Sequence, residues 1–443
     1  MIGHTSYACV VIGSGPGGYV AAIRAAQLGM RTAVVERGAV GGRCLNQACI
    51  PAKAVLRAAD VVSEIREAAS FGVTVSEPVV DFAAVVARRL QVVETLTGGV
   101  SGLMAKNGID VIAGTAGLTA AATVVVDGME IEATTAIVLA TGSTRRALPG
   151  LAFGGNVIGT EEAWALTELP ATMVIVGAGA SGAELASAYQ RLGTQVTLYE
   201  GLDRVLPTED ADISRLVERG LRRQGVEVRT GTPFDPAGRQ ADWVVIAAGR
   251  GPDVAALGLE AAGVALTPEG LIAVDGAQRT SVGRLYAIGD LVAGPALAHK
   301  ASEEGVIAVE DAAGLSTHPL VHPDIPRATF CAPGVASFGL TEEQARVAGH
   351  DVVVGKVPYG AVGAGAVLGD RAGLVKIVAT TDGELLGGHV VGTKATELIQ
   401  ELVTVRHLEG SVPELARIVH GHPTLSEAVL EAARAADGWL IHG

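Results

Sequence analysis

The chain has 443 residues, of which 49% are hydrophobic and 18% charged. This length and composition predict roughly two to four globular domains and exclude a disordered chain. The net charge of −14 argues against binding to nucleic acid or to an anionic membrane surface. No apolar stretch reaches the roughly 18 residues of a membrane-spanning helix. Four cysteines are too few for a secreted disulfide framework, so we expect a cytoplasmic protein.

Residues 7–37, "YACVVIGSGPGGYVAAIRAAQLGMRTAVVER", have the pattern of a strand, a glycine turn, a helix and a second strand. In a dinucleotide-binding fold the first glycine permits the tight turn, and the second lets the backbone approach a pyrophosphate. The third lets the helix pack against the strand. Here these are Gly13, Gly15 and Gly18, and the acidic residue that would accept ribose hydroxyls is Glu36. An ordinary βαβ unit with a solvated glutamate is the alternative.

Two of the four cysteines, Cys44 and Cys49, lie in "GGRCLNQACIPAK" (residues 41–53). Their spacing matches neither a typical metal-binding pair nor Cys-x-x-Cys. In a regular helix their Cα atoms would be about 8–9 Å apart, whereas a disulfide tolerates about 7 Å at most. They can bridge only across a distorted turn, which Pro51 favours because it lacks a backbone donor. Two free buried thiols are the alternative.

Residues 171–200, "ATMVIVGAGASGAELASAYQRLGTQVTLYE", repeat the nucleotide-binding pattern with Gly177, Gly179, Gly182 and Glu200. Because both units match at every position, we predict two bound dinucleotides, one flavin and one exchangeable nicotinamide. Gly182 and Glu200 favour NAD over NADP, since a 2′-phosphate would face a carboxylate. Arg204 is the nearby cation that leaves the strictness of this preference open.

Further motifs extend through nearly the whole chain. They are "LATGS" (139–143), "AAGRGPD" (247–253), "LYAIGD" (285–290), "LAHKASEEG" (297–305) and "HGHPTLSE" (420–427). With the cysteine segment, in which Ala48 and Ala52 replace other small residues, they occur in the order of one family. The chain resembles the FAD-dependent pyridine nucleotide–disulfide oxidoreductases, and within them the members that oxidise dihydrolipoamide. The resemblance implies an α/β fold with two Rossmann-like domains, for FAD and NAD, and a C-terminal α+β dimerisation domain.

The resemblance also implies roles for particular residues. Cys44 and Cys49 would form a redox disulfide, with Cys49 against the flavin as charge-transfer thiolate and Cys44 facing the substrate thiols. Lys53 would pair with Glu184, although a surface lysine and a helix-terminal carboxylate are the plain alternatives. The candidates for binding FAD are Gly13, Gly15, Gly18, Glu36, Gly42, Lys53, Thr141, Gly142, Asp290 and Ala298. Those for NAD are Gly177, Gly179, Gly182, Glu200, Gly249 and Arg250. No metal site is predicted.

The motif "HGHPTLSE" supplies a candidate base for thiol chemistry. Histidine suits the task because its ordinary pKa is near neutrality. Pro423 keeps His422 out of helical geometry just before a helix. By resemblance His422 is the catalytic base and Glu427 orients it, while His420 is structural. Thr424 and Glu427 also have the spacing of a helix capping box, and both interpretations can hold.

These patterns predict three domains. An FAD domain covers residues 1–147 and is completed by 276–324, an NAD domain covers 148–275, and an interface domain covers 325–443. Two helices, at 53–70 and 81–106, are inserted in the FAD domain. Two strands, "GLVKIVA" and "LLGGHVVG", belong to the interface domain.

By resemblance, the expected reaction is the oxidation of dihydrolipoamide by NAD through Cys44, Cys49 and FAD. The expected assembly is a homodimer that shares its active sites. An NADH-dependent reductase of another small disulfide, similar to glutathione reductase, is the alternative, because Arg43 and Ala48 lie near the substrate side. A mercuric reductase is disfavoured, since no cysteine follows Cys331. A soluble transhydrogenase would not need both cysteines. The chain could also serve mainly as a subunit of a 2-oxo acid dehydrogenase complex.

Overall fold

The computed structural model describes residues 5–119, 123–235 and 241–443. These residues divide into two units. The first unit comprises the described parts of Met1–Ala54, Ala84–Arg146 and Gly249–His322. The second comprises those of Val55–Ala83, Ala147–Ala248 and Pro323–Gly443.

Helices and strands are numbered in chain order. The helices are α1 (Pro16–Gln27), α2 (Gly42–Asn46), α3 (Cys49–Glu67), α4 (Phe82–Lys106), α5 (Thr160–Ala165), α6 (Ala180–Leu192), α7 (Ala211–Arg223), α8 (Ala298–Ala312), α9 (Glu342–Val347), α10 (Gly363–Leu368), α11 (Ala395–His407), α12 (Val412–Leu415) and α13 (Ser426–Ala436). The strands are β1 (Thr5–Ile12), β2 (Thr32–Glu36), β3 (Asp110–Ala113), β4 (Ala116–Leu118), β5 (Thr123–Val126), β6 (Met129–Leu139), β7 (Ser143–Arg145), β8 (Val157–Gly159), β9 (Thr172–Val176), β10 (Gln195–Tyr199), β11 (Glu227–Arg229), β12 (Trp243–Ile246), β13 (Arg250–Pro252), β14 (Leu285–Ala287), β15 (Arg327–Thr329), β16 (Val335–Gly339), β17 (Val352–Pro358), β18 (Leu374–Thr380) and β19 (Leu385–Val391).

A mixed sheet with the order β3-β2-β1-β6-β5-β4 forms the centre of the first unit, and β14 pairs with β6. The pairs β1–β2, β2–β3, β1–β6 and β6–β14 are parallel, which brings the carboxyl ends of β1, β6 and β14 to one edge. Side chains of β1 alternate between two cores. Val10 and Ile12 pack in one, and Cys9 and Val11 in the other. This alternation is the period of a strand buried on both faces.

The second unit contains two sheets of different kinds. One is parallel, with the order β11-β10-β9-β12-β8. The other is antiparallel, with the order β15-β16-β19-β18-β17. Helices α11 and α13 bury their apolar faces on the antiparallel sheet, where Ile399, Leu402 and Val429 join its core. This sheet and its helices make up the C-terminal α+β part.

The predicted fold class is therefore confirmed: each unit holds one Rossmann-like sheet, and an α+β segment follows. Both predicted helices are present, as α3 and α4, although α3 begins earlier than predicted, at Cys49. Residues 55–83, which include most of α3, fall in the second unit, so their insertion in the FAD domain remains a prediction. The division into units returns to the first unit at Gly249, whereas the pattern suggested 276. The three domain boundaries remain predictions. Within the described ranges, no helix combines the length and apolar character needed to cross a bilayer.

Candidate active site and dinucleotide sites

The first glycine turn has the geometry that a dinucleotide phosphate requires. Gly13 has φ +102°, and a Cβ there would lie 2.4 Å from the Ala140 carbonyl oxygen. A Cβ at Gly18 would lie 1.9 Å from the Gly13 carbonyl oxygen, so this position also needs glycine. Around Gly15, by contrast, nothing lies within 4 Å of a built Cβ. The backbone is therefore open at the N-terminus of α1, where amide groups favour an anion.

Glu36 lies beside this turn at the end of β2. Its Oε2 accepts hydrogen bonds from the amide and the hydroxyl of Ser14, at 2.8 and 2.6 Å. Its Oε1 accepts the Gly38 amide at 2.8 Å. Glu36 thus contacts the turn that would hold the phosphates, and its hydrogen bonding to a ribose remains a prediction. Sequence reasoning missed Ser14, which is fully buried between the glycines.

The second glycine turn repeats the same geometry in the second unit. Gly177 has φ +107°, and its Cβ would lie 2.8 Å from the Ala247 carbonyl oxygen. A Cβ at Gly182 would lie 1.8 Å from the Gly177 carbonyl oxygen, while nothing lies within 4 Å at Gly179. Both turns therefore fit a dinucleotide for the same steric reasons.

Glu200 and Arg204 decide how this second site would treat a 2′-phosphate. Glu200 follows β10 and accepts the Ala178 amide at 2.7 Å, so its carboxylate lies at the glycine turn. The Arg204 guanidinium lies 3.7 Å from carboxylate oxygens of both Asp203 and Glu343. Two acidic neighbours oppose recruitment of a phosphate by this arginine. The local charge therefore favours NAD.

The cysteine segment lies against the first glycine turn. Gly42 has φ +59°, and a Cβ there would lie 2.7 Å from the Gly15 Cα. The Gly41 amide donates to the Ser14 hydroxyl at 3.2 Å. Helix α2, which carries Cys44, therefore begins directly beside the first dinucleotide site.

Cys44 and Cys49 do not share one regular helix. Cys44 lies in α2 and Cys49 is the first residue of α3; between the helices the amides of Gln47 and Ala48 both donate to the Arg43 carbonyl, at 2.8 and 3.0 Å. Both cysteines are partly buried, and no disulfide joins them in this structure. The Cys44 thiol is hydrogen-bonded to Cys49, and this bond, followed by burial, raises the pKa of Cys44 far above its ordinary value. The distortion that a reactive pair needs is present, and the two sulfurs are in contact.

Four other candidates for binding FAD lie near the first turn. The Thr141 hydroxyl donates to the Asp253 carbonyl at 2.7 Å, and Gly142 has φ +75°. Asp290 accepts a hydrogen bond from the Ser143 hydroxyl. Ala298 is the first residue of α8. Strand order explains this grouping, because β6 precedes Thr141 and β14 precedes Asp290.

Two predicted sets of contacts involve residues on α3, α6 and the segment around β13. Gly249 and Arg250 belong to the first unit, where Arg250 donates to the Ser143 hydroxyl at 2.9 Å. Their contact with NAD remains a prediction. Lys53 lies in α3 within the first unit and Glu184 in α6 within the second. Glu184 is 5% exposed and accepts the Phe330 amide at 2.9 Å. The pairing of Lys53 with Glu184 also remains a prediction.

His422 and Glu427 form a pair at the start of α13. Nδ1 of His422 lies 2.9 Å from Oε1 of Glu427, and the imidazole is 75% exposed. Glu427 also accepts the Thr424 amide through Oε2 at 2.9 Å. Burial raises the pKa of Glu427, but the Thr424 amide and His422 outweigh it and hold this pKa below its ordinary value. The carboxylate therefore stays ionised while it orients the imidazole.

Only half of the predicted capping box forms. Glu427 accepts a hydrogen bond from the Thr424 amide, but the Thr424 hydroxyl donates to the Gly421 carbonyl at 2.7 Å.

A second histidine–glutamate pair lies close by in the sequence. His420, with 5% of its side chain exposed, places Nε2 2.6 Å from Glu401 and Nδ1 2.9 Å from the Ile418 carbonyl oxygen. Sequence reasoning missed Glu401, because α11 brings it to His420 from a distant part of the chain.

Comparison with known families agrees with this geometry. The description "Pyridine nucleotide-disulphide oxidoreductase" matches residues 7–305. The dimerisation domain of the same group matches residues 325–433. The two matches cover both glycine turns, the cysteine pair and the His422–Glu427 pair.

Relatives of similar length extend the comparison. A dihydrolipoyl dehydrogenase of Mycobacterium tuberculosis is 44% identical over 99% of this chain and 100% of its own length. One from Bacillus subtilis is 40% identical over 99% of both chains. The crystal structure of LpdA from M. tuberculosis has a TM-score of 0.88 at 27% identity, covering 97% of this chain and 99% of its own. The HOCl-induced flavoprotein disulfide reductase RclA from Escherichia coli has a TM-score of 0.85 at 26% identity, covering 98% and 100%. The chain belongs to the pyridine nucleotide–disulphide oxidoreductases.

Proposed function

We propose that the chain is a dihydrolipoyl dehydrogenase, which oxidises the dithiol of dihydrolipoamide and reduces NAD. The observation that carries this proposal is the contact between Cys44 and Cys49 at the break between α2 and α3, beside the first glycine turn. The 40–44% identity to dihydrolipoyl dehydrogenases over nearly the whole chain supports the choice of substrate.

The residues of the first unit would hold FAD. Gly13, Gly15 and Gly18 leave room for its pyrophosphate, and Glu36 lies where the adjacent ribose would be. Asp290 and the N-terminus of α8 supply further polar groups. When bound, FAD supplies a two-electron relay between the cysteine dithiol and NAD. NAD would occupy the second glycine turn, with Glu200 at its ribose.

Cys44 and Cys49 carry the exchange with substrate. One substrate thiolate attacks the sulfur of Cys44 in the Cys44–Cys49 disulfide, and the Cys49 thiolate leaves. The second substrate thiolate then attacks the mixed disulfide and releases Cys44, so the substrate becomes a disulfide and the enzyme a dithiol. Cys49 begins the 19-residue helix α3, whose N-terminus stabilises negative charge on that sulfur. Overall, dithiol and NAD⁺ give disulfide, NADH and one proton.

His422 would remove the proton that this exchange requires. A carboxylate only accepts hydrogen bonds, so Nδ1 of His422 carries the hydrogen that Glu427 accepts. This leaves Nε2 as the proton acceptor on an imidazole that is 75% exposed. The hydrogen bond from the Thr424 amide fixes the Glu427 carboxylate, which keeps the ring in this orientation.

We infer a homodimer in which His422 of one chain serves Cys44 of the other. The match of residues 325–433 to a dimerisation domain supports association, and the exposure of His422 supports a role towards a second chain. The acidic composition and small number of cysteines favour the cytoplasm. Docking onto a 2-oxo acid dehydrogenase complex is compatible with the proposed activity.

One observation favours a second candidate function. The structural likeness to RclA, described as a flavoprotein disulfide reductase, supports an NADH-dependent reductase of another small disulfide. A substrate panel separates the two. Purified protein is assayed with dihydrolipoamide and NAD, and with lipoamide, glutathione disulfide or cystine and NADH. Turnover restricted to the lipoyl pair supports the first proposal, and preferred reduction of another disulfide overturns it.

A further inference from the structure

Helix α8 carries a buried ion pair outside the residues considered so far. Lys300 and Glu304 are four residues apart, and both side chains have 0% exposure. Lys300 Nζ lies 2.9 Å from Glu304 Oε1, but this oxygen has no hydrogen-bond partner among the described residues. The two groups form a buried ion pair, and each side chain also makes a directed hydrogen bond to a third residue.

Both directed hydrogen bonds go to one residue, Gly289. Lys300 Nζ donates to the Gly289 carbonyl oxygen at 2.9 Å. Glu304 Oε2 accepts the Gly289 amide at 2.7 Å. Gly289 has φ +71° and opens the short 3-10 turn Gly289–Leu291 that follows β14. The ion pair therefore holds this turn by both polar groups of a single residue.

The residue after Gly289 is Asp290, the candidate for binding the polyhydroxyl chain of FAD. Its carboxylate accepts a hydrogen bond from the Ser143 hydroxyl. The same hydroxyl oxygen accepts a hydrogen bond from Nε of Arg250 at 2.9 Å. Asp290 is thus held through its side chain by Ser143 and through its neighbouring backbone by α8. The same helix begins at Ala298, a second candidate contact with FAD.

A buried ion pair is a poor choice for stability alone. Removing two charges from water is costly, and apolar residues of similar volume often stabilise as well or better. The pair does supply hydrogen-bond partners for the buried amide and carbonyl groups of Gly289. The Lys300 ammonium and the Glu304 carboxylate both bond to Gly289, the residue before Asp290. This shared target gives a reason for placing two opposite charges on the buried face of α8.

We propose that Lys300 and Glu304 are positioning residues for FAD, which fix the Gly289–Asp290 turn so that the Asp290 carboxylate keeps its place at the cofactor. This inference rests on the proposed role of Asp290 in FAD binding. Neither side chain needs to touch the cofactor, since each acts through the Gly289 backbone.

The test measures FAD affinity rather than activity. Apoprotein of the natural chain and of Glu304→Gln and Lys300→Met is titrated with FAD, and the dissociation constant is read from flavin fluorescence. We expect each variant to weaken FAD binding about tenfold or more, the scale of losing a hydrogen bond to a charged group. Glu303→Gln is the matched control, because Glu303 is exposed on the same helix. It should leave FAD affinity unchanged.

A double-mutant cycle separates positioning from a general structural effect. If the pair acts through Asp290, then Glu304→Gln should change FAD affinity little in an Asp290→Asn background. Additive losses, or unchanged affinity in the single variants, would overturn the proposal. Binding of NADH to each apoprotein reports whether the second unit is folded. Should a single variant fail to fold, Lys300→Met/Glu304→Met replaces both charges with apolar volume and should show the same loss of FAD affinity.

The two proposals fail in different ways. If the proposed reaction is wrong, the natural protein still binds FAD and still shows the double-mutant coupling, but it leaves dihydrolipoamide unoxidised. If the positioning proposal is wrong, dihydrolipoamide is oxidised and the coupling is absent.

Discussion

The carboxylate of Glu427 connects two parts of the structure at once, because Oε1 lies 2.9 Å from Nδ1 of His422 while Oε2 accepts the Thr424 amide at 2.9 Å. The orientation of the imidazole is therefore tied to the first turn of α13. A role at the start of a helix and the proposed role in catalysis need not be alternatives, because the two carboxylate oxygens of Glu427 make the contacts that each role requires.

Replacing His422 tests its role as base. His422→Ala should slow dihydrolipoamide oxidation by about 10²–10⁴-fold, since general-base catalysis contributes about this much. Reduction of an artificial dye by NADH needs no thiol proton transfer and should stay near the natural rate. Steady-state kinetics of both reactions give the comparison. His350→Ala, at an exposed histidine, is the control. If both activities of His422→Ala fell together, the histidine would be structural.

The two cysteines should differ in their spectra. After treatment with a dithiol, the flavin-bound protein should show a long-wavelength absorbance band that reports a thiolate next to FAD. Cys49→Ser should abolish this band, whereas Cys44→Ser should retain part of it, because Cys49 is then the remaining thiolate. Absorbance spectra of the two variants and the natural protein provide the test. An unchanged band in Cys49→Ser would exclude Cys49 as the flavin-side cysteine.

Glu200 should set the choice of nicotinamide. A 2′-phosphate would approach the Glu200 carboxylate, and Arg204 already lies between Asp203 and Glu343. The natural protein should therefore prefer NAD strongly in kcat/KM. Glu200→Gln, which removes the charge and keeps the size, should raise kcat/KM for NADP more than for NAD. Equal use of both cofactors by the natural protein would show that Arg204 outweighs the carboxylates.

The pair of His420 and Glu401 should give stability that depends on pH. The hydrogen bond that His420 donates to the Glu401 carboxylate raises the pKa of His420, against the opposing effect of burial. Because the folded-state pKa is above the ordinary value near 6.5, this stabilisation is complete below about pH 6.5 and is lost as pH rises through the higher folded-state value. Thermal unfolding of Glu401→Gln should differ from the natural protein more at about pH 6 than at about pH 9.

The control for that comparison is Glu397→Gln, an exposed change on the same helix, α11. Its effect on the unfolding temperature should be the same at both pH values, since it has no histidine partner among the described residues. A difference for Glu401→Gln that did not vary with pH would contradict the charged pair.

Mixed dimers test the shared site. Cys44→Ser and His422→Ala are dissociated together and allowed to reassociate. A mixed dimer has one site with both lesions and one with neither, so random pairing leaves roughly a quarter of all sites intact. Activity should return to about that fraction of a natural sample treated in the same way, and neither variant alone should recover. If subunit exchange is demonstrated but no dihydrolipoamide oxidation returns, the base acts in the same chain as Cys44.

Local sequence was sufficient for features that depend on neighbouring residues. Both glycine turns could be predicted, because the need for positive φ at Gly13 and for missing side chains at Gly18 and Gly182 follows from a short strand–turn–helix unit. Helix geometry also showed that Cys44 and Cys49 could bridge only across a distorted turn, and the structure has such a turn between α2 and α3. These constraints act within a few residues, so spacing reveals them.

The tertiary structure decided which distant segments meet. Sheet order places the end of β6 beside β1 and the end of β14 beside β6, which brings Asp290 to the same edge of the sheet as the first glycine turn. Gly42 packs directly against the Gly15 backbone. Helix α11 places Glu401 within hydrogen-bond distance of His420. Lys300 and Glu304 look like an ordinary surface pair in the sequence, since four-residue spacing is the usual arrangement of solvated helix charges. Only burial of α8 in the first unit, which removes water from both side chains, directs them to the backbone of Gly289.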